Sequence, residues 1–190
     1  MSQQTPEDTQ PHADDVPWLN EVVSKVNSWD NITDIQLLMI NIIRHYVLEG
    51  CWRDGNAYRA FTEPVTPEAE RSDAGYSKEL SMSVQKRDPR HLDSMDVFIA
   101  MPFVASEPRE SCKERFGRFL NSIMSSDAHH FCYVALFHGS QVVLYDFQAS
   151  PSGSGEFTDI GAGSGDLVSE RANVENMFER LVEKLGEVEV

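Results

Sequence analysis

Hydrophobic residues along this 190-residue chain fall into separate blocks, and the spacing within each block assigns it to a helix or a strand. The firmest helical block contains Ile35, Leu38, Met39, Ile42, Ile43 and Tyr46, which recur at intervals of three and four. Leu37, Ile40 and Val47 are apolar as well, so this helix is expected to be covered on more than one side. Thr33-Asp34-Ile35-Gln36 reads as a capping box at its start, and Gly50 as its end. Ahead of it, Asp15 and Pro17 open a shorter amphipathic helix carrying Trp18, Leu19, Val22, Val23 and Val26, which ends near Trp29-Asp30-Asn31. A third helix is expected from Arg109 to Ser125, with Cys112, Phe116, Phe119, Leu120, Ile123 and Met124 inward. A fourth starts near Ser169, buries Val174, Met177, Phe178, Leu181, Val182 and Leu185, and closes at Gly186.

The strand blocks follow a different rule. Phe131 to Phe137 is an unbroken apolar run, Val142 to Phe147 is interrupted only by Asp146, and His138-Gly139-Ser140 joins them in a tight turn. Runs of this length, rich in β-branched and aromatic residues, suit strands buried on both faces. Asp96 to Met101 reads as another buried strand, stopped by Pro102. In Glu79 to Gln85 the apolar residues Leu80, Met82 and Val84 alternate with polar ones, which predicts a half-exposed strand, and Tyr58 to Phe61 a weaker one.

Between these blocks, residues 1–14 form a polar, acidic tail with nothing to pack and are expected to be disordered. Residues 15–190 then make a single domain with mobile loops at 62–78 and 149–167. The second loop is Gly/Ser-rich apart from a short element at Phe157 to Ile160. A strand, a helix and another strand in succession imply a parallel crossover, whereas short turns give antiparallel neighbours. The expected architecture is α/β, with a mixed central sheet of about four or five strands flanked by helices.

Charge narrows the choice of partner. Sixteen basic residues against 31 acidic ones leave a net −15, which repels phosphate backbones and disfavours non-specific nucleic-acid binding. The cluster Lys86-Arg87-Asp88-Pro89-Arg90-His91 is the densest basic stretch and reads as a solvated turn. Three cysteines, Cys51, Cys112 and Cys132, are too few and too widely spaced for a disulfide scaffold and read as reduced thiols. No apolar run approaches a membrane span or a signal peptide, so the expectation is an intracellular protein, cytoplasmic or nuclear, without a membrane partner.

The order of helix, three strands, helix and returning strand resembles the core of the PD-(D/E)XK nuclease-like superfamily. The hairpin from Phe131 to Phe147 is also similar to the closing hairpin in the N-terminal region of fungal-type protein kinases, which is built on that fold. The resemblance covers residues 33 to 185 and implies a restriction-endonuclease-like sheet. Active members hold a divalent metal with an Asp and the Glu of a Glu-x-Lys element on the third strand, because a hard cation needs convergent oxygen ligands and the Lys positions the attacking water. Here Asp96 matches the Asp, but Ala100 stands where the Glu belongs and Pro102 where the Lys belongs. Alanine offers no ligand and proline no ammonium.

The resemblance therefore implies a pseudo-nuclease with no catalytic residues, no metal and no cofactor, acting as an interaction module for another protein. Two alternatives stand beside it. In a nuclease with migrated carboxylates, Asp96 would be joined by Glu49 or Glu110. An adaptor of unrelated mixed α/β fold would dimerise through the apolar face from Trp18 to Val26.

Other constellations have simpler readings. His129, His130 and His138 flank one strand without a further ligand at zinc spacing, and His45 reads as a partly buried helix residue. Gly161-Ala162-Gly163-Ser164-Gly165 leads into Asp166-Leu167, where a P-loop needs Lys-Ser/Thr, and so reads as a flexible linker. Trp18, Trp29 and Trp52 are expected to pack in or against the core.

Overall fold

The computed structural model describes residues 16–49, 58–64, 80–87, 94–124, 131–149 and 155–188. The tail at 1–14, residues 65–78 of the first expected loop and 150–154 of the second lie outside them, as do Gly50, Cys51, Trp52, residues 88–91 of the basic cluster, His129 and His130. The helices are α1 (Pro17–Val23), α2 (Ile32–Ile42), α3 (Arg109–Met124) and α4 (Arg171–Glu187), and α2 continues as a π-helical segment over Ile43–Leu48. The strands are β1 (Tyr58–Pro64), β2 (Leu80–Arg87), β3 (Ser94–Phe103), β4 (Phe131–His138), β5 (Gln141–Gln148) and β6 (Glu156–Asp166). They form one mixed sheet whose spatial order equals the chain order.

Every neighbouring pair is antiparallel except β3–β4, which α3 joins as a crossover. The β4–β5 hairpin turns on Gly139, whose φ of 55° is the left-handed conformation that glycine adopts without a Cβ penalty. Alternation along the central strands divides the core in two. Ala100, Ala135, Phe137, Val142 and Leu144 point to the face covered by α1, α2, its π-helical continuation and α4. Ile99, Met101, Val134, Leu136, Val143 and Phe147 point to the face covered by α3. Cover on both sides is why these strands read as unbroken apolar runs.

Several expectations need correction. The capping residue of α2 is Asn31, whose side chain accepts from the Thr33 amide at 3.0 Å. The Asp34 carboxylate accepts instead from the Asn27 and Ser28 amides, so it closes the preceding turn. Asparagine caps as well as threonine, and only the path of that turn chooses between them. Helix α1 ends at Val23, well short of Trp29, and Leu19, Val22 and Val23 are buried in the chain's own core. The apolar face that a dimerising adaptor would use is therefore already spent.

Strand β2 is buried from Ser81 to Val84 rather than half exposed. Strand β3 does not stop at Pro102, which pairs with Phe137 and is followed by Phe103. The β2–β3 register ends at Met82↔Ala100, so Pro102 has a ladder neighbour only in β4 and its missing N–H costs nothing on the other side. Gly186 lies inside α4 rather than closing it.

The short element expected at Phe157 to Ile160 is the first part of β6, and the largest correction is that the Gly-rich stretch after it continues the strand to Asp166. Glu156 to Asp159 and Ser164 to Asp166 both pair with β5, and residues 160–163 bulge opposite Leu144. A Cβ on Gly165 would come within 2.7 Å of Val174, so the glycine lets α4 close on the strand. Asp166 then fixes the corner. Its carboxylate accepts from Ser140 Oγ and Gln141 Nε2 on one oxygen and from the Val168 and Ser169 amides on the other.

Candidate functional site

The site that the nuclease resemblance implies would lie on β3, and its geometry turns on one extra residue. Val84 pairs with Phe98, but the next β2 residue, Gln85, pairs with Asp96, so Val97 is a β-bulge. Val97 and Phe98 both pack into the core of the three-helix face, and Met95 packs against it. The bulge resets the alternation, and Asp96 is turned to the α3 face. Burial pushes the Cys132 thiol up on that face, and the nearby Asp96 charge adds to the effect.

Ala100 is fully buried on the opposite face, and Pro102 shares its parity along β3. The position matching the metal-binding Asp and the two matching the Glu and Lys thus face opposite sides of the sheet. Restoring a carboxylate at residue 100 would not bring it beside Asp96.

The alternative ligands are no better placed. Asp96 sits near the start of β3, and about 23 Å of strand separate it from Phe103, beyond which α3 begins. Glu110 is in the first turn of α3, whereas Met124, which touches Cys132 on the Asp96 side, is at the last, about 21 Å along the helix axis. Glu49 follows the π-helical segment on the three-helix face and lies 3.5 Å from His45. A divalent cation needs oxygens at about 2.3–2.6 Å, and these three carboxylates do not converge. Among the described residues no group of three or more His, Cys, Asp or Glu side chains is placed to hold a metal.

His45 and His138 are accounted for by local contacts. His45 stacks on Trp18 with ring centroids 3.9 Å apart, and Tyr46 beside it stacks on Phe178. Burial raises the Tyr46 hydroxyl far above its ordinary value, helped by Glu175 and Glu179. His138 Nε2 lies 2.7 Å from the Glu107 carbonyl oxygen and ties the hairpin turn to the entry of α3. Cys112 and Cys132 are buried free thiols, and burial with the Glu107 charge pushes Cys112 up to about 12. Neither is poised as a nucleophile. Lys86, from the basic cluster, belongs to β2 and donates to the Val188 carbonyl.

Sequence reasoning did not find an open concavity beside α3. A groove of about 340 Å³ runs between α3 and the start of β6, lined by Glu110, Lys113, Glu114, Gly117, Arg118, Asn121, Gly155 and Phe157. A Cβ on Gly117 would lie 3.1 Å from the Phe157 ring, so the missing side chain lets that ring rest against the helix backbone. Lys113 holds its ammonium 4.9 Å from the Tyr145 ring centroid and 5.4 Å from that of Phe157, a cation–π arrangement. Arg109 donates to the Tyr145 hydroxyl from the same helix. The one legible signal was a glycine in the middle of an otherwise strong helix, which usually marks a close approach.

No helix among the described residues is long and apolar enough to cross a membrane. No family model matches the chain, and no match to it is found among curated proteins or solved structures.

Proposed function

We propose that this chain is a non-catalytic module that binds another protein, built on a degenerate restriction-endonuclease-like fold. The order of α2, three antiparallel strands, α3 and a parallel β4 supports the fold part of this reading. The bulge at Val97 carries the functional part. It sends Asp96 to one face of the sheet while Ala100 is buried in the other, so the strand that would supply the catalytic carboxylates has lost both the residues and their common direction. The acidic surface argues against a nucleic-acid substrate and leaves a protein as the partner.

The test is a cleavage assay on single- and double-stranded DNA and RNA with magnesium or manganese. No cutting above background is expected, from the wild type or from Asp96→Ala. Metal-dependent cutting that disappears in Asp96→Ala would establish the migrated-carboxylate nuclease in its place.

A further inference from the structure

We infer that the groove between α3 and β6 receives an extended, cationic peptide segment of a partner protein, added as a strand to the outer edge of β6. The inference rests on the interaction-module reading and names the place and chemistry of the interaction.

Three features of the groove converge on this ligand. Strand β6 is last in the sheet order and pairs only with β5 among the described residues, so its outer edge presents backbone donors and acceptors. That edge is regular from Glu156 to Asp159, about 13 Å of ladder, before the bulge at residues 160–163 ends it. An extended peptide is the ligand that such an edge pairs with. The second feature is the wall. Glu110, Glu114, Gly117 and Asn121 lie at intervals of three and four on one side of α3 and line the groove together with Gly155 and Phe157 at the start of β6. The bare backbone at Gly117 and the ring of Phe157 give the groove an apolar floor where an alternate side chain of the added strand would sit.

Charge selects among possible strands. Glu110 and Glu114 on the helix and Glu156 and Asp159 on the strand are exposed, against Lys113 and Arg118. Lys113 is already engaged over two aromatic rings. A second copy of this chain, itself at net −15, would bring a like-charged surface to that edge. A lysine- or arginine-bearing strand meets opposite charges instead.

A display library of random linear peptides of about eight residues, panned on the full chain, tests this directly. Enriched sequences are expected to alternate apolar residues with Lys or Arg. A synthetic representative should bind in fluorescence anisotropy, and methylating alternate backbone nitrogens of that peptide should abolish binding in one of the two alternations. The double variant Glu110→Gln/Glu114→Gln changes only exposed side chains and should weaken binding about fivefold at low salt. Gly117→Leu, which fills the floor, should weaken it at least about tenfold. If Gly117→Leu does not fold, the double variant and the methylated peptides decide. No enrichment, enrichment of acidic sequences, indifference to methylation in both alternations, or binding unchanged in the double variant would each overturn the inference. Peptides that bind at full strength to both variants overturn this groove and leave the interaction module standing, whereas metal-dependent cleavage removes the module itself.

Discussion

The two faces of the sheet share the same strands but are closed to different degrees. On one face α1, α2 with its π-helical continuation, and α4 cover the strands, and the largest side chains, Phe137 and Phe178, are fully buried. On the other face α3 is the one helix among the described residues, and although Phe103, Phe116 and Phe147 are fully buried there, Phe157 is only partly buried and a groove stays open beside it. The bulge at Val97 transfers Asp96 from the closed face to the sparser one. A sheet with two apolar faces does not have to be sealed equally on both, and the less sealed face is where a ligand can reach the backbone of an edge strand.

The largest expected difference between the faces is energetic. Phe178→Ala removes a ring stacked on Tyr46 and packed near Phe137, and should cost about 3–5 kcal/mol by urea denaturation. Phe157→Ala removes a partly exposed ring and should cost about 1–2 kcal/mol. Equal losses would mean that the α3 face is as tightly sealed as the other.

A smaller effect comes from Asp166, which ties the β4–β5 turn to the start of α4. Burial alone would raise its carboxyl pKa, but hydrogen bonds from Ser140, Ser169 and the Val168 amide outweigh that and hold it below the ordinary aspartate value. A depressed native pKa adds stability above the unfolded-state value, and that stability is lost as pH falls through the native one. Asp166→Ala should therefore cost about 1–2 kcal/mol at neutral pH. Its deficit against the wild type should shrink below about pH 4, in melts recorded across that range.

The smallest effect has the opposite sign. Asp146 faces α4 on the closed side, one of its oxygens is buried without a hydrogen bond among the described residues, and burial raises its pKa although Lys184 pulls the other way. A raised native pKa means that the ionised group costs stability above it, and that this cost disappears below the unfolded-state value. Asp146→Asn should raise the melting temperature by at most about 2 °C at pH 7, and the gain should vanish near pH 3. A melting temperature that falls at pH 7 would show that the attraction to Lys184 outweighs the desolvation.

Legibility followed the side chains. Helix α3 and the β4–β5 hairpin were readable because their apolar spacing is strong and their covering layers impose it. Only the start of β6, at Phe157 to Ile160, was readable, because Gly161 to Gly165 carries almost no side-chain signal and the pairing of Ser164 to Asp166 with β5 is made by backbone groups that every residue has. The cap of α2 was misplaced by two residues because Asn31 and Thr33 are both good caps. Of the site that the nuclease resemblance implies, the lack of a carboxylate at Ala100 and of an ammonium at Pro102 was plain in the sequence, but the groove joins residues from α3 and β6 that only folding brings together.

By itself, then, the sequence determined the helices and the central strands, through periodicity that burial on both faces demands, and it determined the net acidic charge. The tertiary structure alone decided which face each side chain meets. One extra residue at Val97 reverses the alternation of β3, and since strand side chains alternate with a period of two, that single insertion separates Asp96 from Ala100 more completely than any substitution at either position.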